Sequence, residues 1–399
     1  MTTGTDLIQL GVGLTDPAEV LSSTATAADP YPFISFAEFF AGIGLVRAAL
    51  EPLRFAPKWA NDIKEIKYAQ YKANHRPDGF VVGDIREVRG QQLPSGLELA
   101  TSSFPCIDLS LAGNRHGLSG KHSGMFWEFA RVIEELGDAN RPRAILIENV
   151  SGFASSHGGK DLQEALGELS RLGYSCDLFT IDAKHFVPQS RPRMFIVGIF
   201  GDLPKDCYAG IPGISGIRPQ WIRDSYLKNS SLRLHYRMLP ELPDGPTDLS
   251  GVVEPVANDD PRWWSGERQA AFLNSLSQIQ ASRLSLLKDR REIAWRTAYR
   301  RTRNGKAVWE IRRDGIAGCL RTTGGGSSKQ ALVVAGQGRV RVRWMTAREY
   351  ARLMGADDYV LGGGTATQAQ FGFGDAVVVD VVRWIGKQYL VPVLRPETS

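Results

Sequence analysis

The run Phe33-Ile34-Ser35-Phe36-Ala37-Glu38-Phe39-Phe40 constrains this chain more than any other segment, because Ala41-Gly42-Ile43-Gly44 and the helical stretch Leu45 to Leu50 follow it directly. An apolar run of this length predicts a buried strand, and the glycines after it let backbone turn sharply and come close to a ligand. Strand, glycine turn and helix in this order make the ligand-binding unit of a Rossmann-type sheet. A second strand, Phe55 to Ala60, ends in Asn61-Asp62, about 20 residues on, where an acid binds ribose hydroxyls. A third, Phe80 to Val82, ends in Gly83-Asp84-Ile85, with an acid placed to accept from an adenine amino group. Either aspartate also suits a helix cap; two at successive strand ends favour the ligand.

Further strand ends carry reactive groups. The run Leu97-Glu98-Leu99-Ala100 leads through Ser103-Phe104-Pro105 to Cys106 and the loop Ile107-Asp108-Leu109-Ser110. A thiolate there is a strong nucleophile of low basicity, suited to adding to an electron-poor ring carbon. Free cysteine is also among the most buried residue types, so Cys106 alone supports either role. A glycine- and basic-rich loop, Gly113 to Gly124, suits a mobile cover, and Met125 to Leu136 has helical spacing. The fifth strand, Ala144 to Ile147, ends in Glu148-Asn149-Val150 and brings a carboxyl group to the same sheet edge as Cys106. A carboxylate bonded to loop amides is the alternative. Past a helix over Asp161 to Leu172, stopped by Gly173, come Gln189-Ser190-Arg191-Pro192-Arg193 and an apolar strand, Met194 to Phe200. Arg191 and Arg193, two apart on extended backbone, point the same way and suffice to hold a carbonyl and a phosphate.

With 399 residues, 43% hydrophobic and 23% charged, the chain suits a soluble protein of two domains. Four cysteines (Cys106, Cys176, Cys207, Cys319) form no CxxC pair and no cluster with the histidines, which argues against a metal site and fits a reducing cytoplasm. The first basic residue is Arg47, so a secretory signal is not expected, and no apolar run approaches the ~18 residues of a membrane span. Residues 1–30, rich in Ser, Thr, Ala and Asp, read as a poorly ordered tail. The net charge of +5 is unevenly spread: Arg283 to Arg352 holds 18 Lys and Arg against 5 Asp and Glu. Interleaved with Trp295, Tyr299, Trp309 and Trp344, this mixture matches a nucleic-acid surface that contacts phosphate and stacks on bases.

Taken together, Phe-Ala-Gly-Ile-Gly (40–44), Asn-Asp (61–62), Gly-Asp-Ile (83–85), Phe-Pro-Cys (104–106), Glu-Asn-Val (148–150), Gln-Ser-Arg-Pro-Arg (189–193), Arg-Glu-Tyr-Ala-Arg-Leu-Met-Gly (348–355) and Gly-Asp-Ala-Val (374–377) resemble the DNA cytosine-5 methyltransferase family in order and spacing. The resemblance implies a doubly wound α/β domain that binds S-adenosylmethionine, built from residues 31–200 and 341–395. A smaller target-recognition domain over 201–340 would read duplex DNA. Cys106 would be the covalent nucleophile at carbon 6 of a flipped-out cytosine, Glu148 would bond its exocyclic amine and ring nitrogen, and Arg193 its carbonyl, with Arg191 beside it. Phe40, Gly42 and Gly44 would surround the methyl donor, with Asp62 and Ile63 at its ribose and adenine, Asp84 and Ile85 at the adenine, and Asp375 and Ala376 closing the pocket. Ser110, Gln189, Arg296, Arg300, Arg301 and Arg303 are the candidate DNA contacts. The resemblance further implies a monomer, a nucleoid-associated prokaryotic cytoplasmic location, no membrane, and a partner restriction or defence system.

Thr346-Ala347-Arg348-Glu349 reads as a capping box starting a helix through Met354, and Asp375 to Leu390 as a helix packed on the sheet. Four departures from the family pattern stand out. Ile107 replaces a Gln, Ile63 stands where a Trp often stacks on adenine, Cys319-Leu320 replaces a Thr-Leu pair, and Asp375 replaces an Asn. Three other readings stay open at this point: a tRNA cytosine-5 methyltransferase, a dinucleotide-dependent oxidoreductase, and a DNA-binding relative that has lost catalysis.

Overall fold

A computed structural model describes residues 32–105, 124–303, 305–322 and 329–395. Cys106, Ile107 and Ser110, the loop over Gly113 to 123, and the tail over residues 1–30 therefore lie outside the described residues.

Seven strands form the main sheet: β1 (Ile34–Phe39), β2 (Phe55–Asp62), β3 (Phe80–Val82), β4 (Leu99–Ser102), β5 (Ala144–Val150), β6 (Tyr174–Asp182) and β7 (Pro192–Phe200). Their order is β3-β2-β1-β4-β5-β7-β6. The first five run parallel, and β7 is antiparallel to both neighbours. The connections leave β1 in opposite directions, towards β2 on one side and β4 on the other, so the crevice opens between the carboxyl ends of β1 and β4. Strand β6 was not expected from the sequence.

Alternation along the strands divides the core between the two faces. Ala144 and Leu146 of β5, with Phe195, Val197 and Ile199 of β7, pack on one face with helices α1 (Leu45–Leu50) and others from the C-terminal part. Ile145 and Ile147, with Met194 and Ile196, pack on the other, against α3 (Met125–Glu135) and α5 (Lys160–Arg171). Helix α2 (Glu65–Asn74) follows β2, and the short α4 (Gly137–Asn140) follows α3. The doubly wound arrangement expected from the sequence is present.

Beyond β7, a two-stranded ribbon of β8 (Cys207–Ala209) and β9 (His235–Arg237) flanks α6 (Gln220–Lys228). Helices α7 (Gly266–Asn274) and α8 (Gln278–Lys288) precede a second, antiparallel sheet. It comprises β10 (Ala294–Arg303), β11 (Lys306–Ile311), β12 (Ala331–Gly336) and β13 (Arg339–Trp344), in the order β11-β10-β12-β13. Trp309 and Trp344 pack with Trp264 and Phe272 at ring-centre distances of 5.2 to 5.7 Å, forming the apolar core beneath this sheet. This corrects the sequence reading: two of the aromatics interleaved with the basic residues serve packing, because alternation turns them towards α7.

The chain then returns to the first sheet. Thr346 caps α9 (Ala347–Leu353) with the reciprocal Thr346–Glu349 bonds the sequence predicts. Asp375 ends α10 (Ala366–Asp375), and the last expected helix is split into α11 (Val379–Ile385) and a wider π turn over Gly386–Leu390. Residues from Ile34 onward form one compact unit.

Candidate active site

A cavity of about 570 Å³ opens at the carboxyl ends of β1, β2, β4 and β5. Phe40, Gly42, Asp62, Ile63, Asp84, Ile85, Phe104, Pro105, Glu148, Arg191, Arg193, Asp375 and Ala376 line it together. The chain approaches Cys106 through Phe104 and Pro105, so the segment delivering that cysteine borders the cavity.

The glycine turn is built by unusual backbone. Phe40 adopts φ 58° without being glycine, a conformation that costs energy and is held by surrounding structure. Gly42 follows at φ 58°, and its N–H donates to Asp62 Oδ2 at 2.9 Å. Asp62 Oδ1 accepts from the Lys64 N–H at 3.0 Å, so this acid is buried and braces the turn as well as facing the cavity. Gly44 has a different position from the one expected: it does not line the cavity. At φ 81°, a Cβ there would lie 2.6 to 2.8 Å from His75 and Tyr71, so this glycine is required by packing under α1.

Asp84 realises the capping alternative while still lining the cavity. Its Oδ1 accepts from the Arg86 N–H at 3.0 Å, and the Arg86 guanidinium holds its carboxyl below the usual range. Ile85 is buried, whereas Ile63 is 59% exposed at the cavity mouth, an apolar surface ready for a flat ring.

Glu38 was missed by the sequence reading. It sits near the end of β1, 1% exposed and lining the cavity, and neither carboxylate oxygen has a hydrogen-bond partner. Burial pushes its pKa up to about 8 against the pull of Arg47, with Asp62 and Glu51 adding to the rise. Ionising a carboxyl buried without a side-chain partner is costly, so Glu38 keeps its proton near neutral pH. The signal available in the sequence was an acid inside an otherwise apolar strand.

At the other end of the cavity Glu148 Oε1 lies 2.9 Å from Arg193 Nε. Both residues are within antiparallel strands rather than beyond them, with Val150 opposite Arg193 in the β5–β7 register. Arg191 is 3% exposed and donates to the carbonyls of Leu320, Gly374 and Ala376 at 3.0, 3.2 and 2.7 Å. Its guanidinium thus ties the segment arriving from the second sheet to the α10 end. Gln189 is fully buried: Nε2 donates to the Leu353 carbonyl at 2.7 Å and Oε1 accepts from the Leu320 N–H at 3.0 Å. That corrects its expected place as a DNA contact, since both polar ends are spent on holding residues 319–320 in position. Asp375 pairs with Lys67 at 3.0 Å and accepts from the Thr322 hydroxyl.

The basic residues of the second sheet do not share one surface. Arg296 is half-buried and donates to the Trp295 carbonyl at 2.7 Å. Arg300 is exposed and pairs in register with Trp309, on the face that α7 covers lower down. Arg301 lies over the Tyr299 ring, 5.0 Å from its centre, and 3.1 Å from Glu310 on the opposite face. Arg303 occupies the hairpin end, opposite Lys306. Arg343, counted among the basic run, is wholly buried against Glu349.

The description of C-5 cytosine-specific DNA methylase matches residues 34–390. The chain belongs to that family. Among its relatives, Type II methyltransferase M2.BsuMI of Bacillus subtilis (strain 168) is 34% identical over 168 residues, 42% of either chain. Type II methyltransferase M.BanI of Aneurinibacillus aneurinilyticus is 32% identical over 181 residues, 43% of this chain and 40% of that one. The aligned stretch thus spans under half the length of these relatives. The fold resembles that of the Entamoeba histolytica methyltransferase EhMeth, at a TM-score of 0.57 and 14% identity, covering 91% of this chain and 98% of that one. For the S. pombe Dnmt2 methyltransferase the TM-score is 0.54 at 17% identity, covering 91% and 99%. Among the described residues no helix is long and apolar enough to cross a membrane, and no group of three or more His, Cys, Asp or Glu is gathered to hold a metal.

Proposed function

We propose that this chain transfers a methyl group from S-adenosylmethionine to carbon 5 of a cytosine in a short duplex DNA sequence, as a type II modification enzyme. The observation that carries this reading is the two-ended cavity: an acid-lined half under the glycine turn, and a Glu148–Arg193 half beside the approach to Cys106. The acidic half fits a donor bearing an ammonium and a sulfonium, because Glu38 is buried and without partners there. Glu38 would hold the ammonium, Asp62 the ribose hydroxyls, and Ile63 with Ile85 the adenine faces. When bound, the donor supplies an electrophilic methyl group.

The chain's own residues make cytosine able to accept it. Carbon 5 of the free base is a poor nucleophile. The Cys106 thiolate adds to carbon 6, and the ring electrons shift towards ring nitrogen 3 and carbon 5. Glu148 supplies the hydrogen bond or proton at ring nitrogen 3, and Arg193 bonds the carbonyl oxygen, so charge built up by the addition is met on both sides. After transfer, loss of the carbon-5 proton expels Cys106. The target must leave the helix to reach this cavity, at a cost of a few kcal/mol that DNA contacts offset.

Residues 201–340 are assigned as the target-recognition part, around the second sheet. Tyr299 and Arg301 share the face turned towards Arg312 and Asp182, whose carboxylate accepts from the Arg191 N–H at 2.8 Å. Arg301 is exposed on that face. The test is expression of the wild type and Cys106→Ala in a host without cytosine methylation, followed by bisulfite sequencing. Methylation at one short motif in the wild type alone is expected. Its absence from DNA, with the purified protein folded and binding donor, would sink the DNA reading.

A further inference from the structure

Arg191 is an uncommon buried cation. At 3% exposure, its guanidinium has no carboxylate partner among the described residues: besides three carbonyls it meets the Cys319 sulfur, 3.3 Å from Nη1. The same sulfur lies 3.7 Å from Arg193 Nη2. Two guanidinium groups are therefore drawn together around one sulfur, with Glu148 pairing only the second of them. Buried charges persist when they are paired, and among the described residues the Arg191 guanidinium has no carboxylate in hydrogen-bonding contact. The family threonine at this position has no charge to offer, whereas a cysteine does.

We propose that Cys319 is held as a thiolate, the shared anionic acceptor of Arg191 and Arg193, and so acts as a positioning residue that fixes Arg193 for the target base. Its role towards the base rests on the methyltransferase reading, while its charge state does not. The groups facing the sulfur are Arg191, Arg193 and Arg321, with Glu148 beyond Arg193. Burial alone would raise this thiol, as it does for Cys176 and for Cys207, pushed up to about 11; the three arginines reverse the direction for Cys319. The neutral alternative is equally concrete: an S–H donating to the Leu320 carbonyl, 3.4 Å away.

Carboxamidomethylation of the full-length Cys106→Ala protein by iodoacetamide, followed by peptide mass mapping against pH, separates the two. Taken on the folded protein, under conditions where alkylation does not go through unfolding, the midpoint of each cysteine's pH profile reports its ionisation. Cys319 is expected to titrate below an unperturbed thiol, with Cys207 well above it as the internal reference. A Cys319 midpoint at or above that of an unperturbed thiol, about 8.5, would overturn the proposal. With Cys106 intact, Cys319→Ser is expected to lower kcat/KM for DNA about tenfold at unchanged donor affinity, and the charged Cys319→Asp to recover part of it. Full activity in Cys319→Ser would overturn the positioning role even if the thiolate were found. If the wild type methylates nothing, the alkylation profile still decides the charge state.

Discussion

Lys67 Nζ lies 3.0 Å from Asp375 Oδ2 and 3.9 Å from Asp62 Oδ2, so one ammonium stands between two acids on opposite walls of the cavity. Burial would weaken this ammonium, but Asp62 and Asp375 hold its pKa above the ordinary lysine value. The acid that departs from the family pattern at Asp375 therefore arrives with a counter-charge. Asp375→Asn leaves Lys67 with less compensation next to a cationic donor. Its dissociation constant for S-adenosylmethionine is expected to rise about three- to fivefold, the modest size reflecting a partly exposed pair. The double variant Lys67→Met/Asp375→Asn should return most of that loss. Calorimetric titration checks both, and an unchanged constant in Asp375→Asn would show that this carboxylate exerts no field on the donor.

Three desolvated groups set a pH optimum for the stability of the donor-free protein. Desolvation of buried His235 and half-buried His75 lowers both from 6.5 to about 4, so between those values the unfolded chain binds two more protons and stability rises with pH. Glu38 runs the other way: raised from 4.5 to about 8, it keeps its proton in the folded state, and stability falls as pH rises through that window. Two groups outweigh one below 6.5, and above it only Glu38 remains. From these groups the melting temperature should peak near pH 6.5 and decline towards pH 8. Glu38→Gln should abolish the decline. A wild-type melting temperature that is flat from pH 6.5 to 8 would contradict the burial argument for Glu38.

The order of strands, glycine turn and acids was legible because each is a local pattern: apolar runs of strand length, glycines at the turn, carboxylates near strand ends. Strand β6 was not, since its run Tyr174-Ser175-Cys176-Asp177 carries polar residues whose partners lie far along the chain. Asp177 is fully buried against Arg218, Tyr226 and Tyr389. Arg191 and Gln189 show the same limit. Motif chemistry placed both at the site, yet what they hold, Leu320, Leu353 and Ala376, is over a hundred residues away. The basic run misled in a similar way, because composition cannot say that Arg343 turns inward while Arg301 turns out.

Arg301 and Arg296 make a matched pair for testing the proposed DNA interface. Arg301 is exposed on the Tyr299 face, and Arg296 is half-buried with burial lowering its pKa. Each phosphate contact formed on binding releases condensed counterion and contributes about one unit to the salt dependence of the association constant. Arg301→Ala is therefore expected to reduce the slope of log K against log salt by about one, and Arg296→Ala to leave it unchanged while lowering the melting temperature. Equal slopes for Arg301→Ala and the wild type would remove this face from the interface.

A fully buried ion pair joins the second sheet to α9. Arg343 on β13 and Glu349 on α9 are both fully buried, with Arg343 Nη1 2.8 Å from Glu349 Oε2. Glu349 also accepts from the N–H groups of Glu254 and Thr346, each at 2.9 Å, so its carboxylate joins β13, the segment before α7 and the α9 cap. Removing one partner leaves an uncompensated buried cation as well as two unpaired amides. Glu349→Ala is expected to cost about 3–5 kcal/mol in chemical denaturation. Glu349→Gln keeps the side chain's shape and one acceptor oxygen, and should cost less while still losing the charge. Because the pair lies away from the cavity lining, both variants that fold should bind donor as the wild type does. A loss below about 1 kcal/mol in Glu349→Ala would mean that water or a neighbouring group takes over the Arg343 charge, and that the two sheets are joined mainly by their apolar contacts.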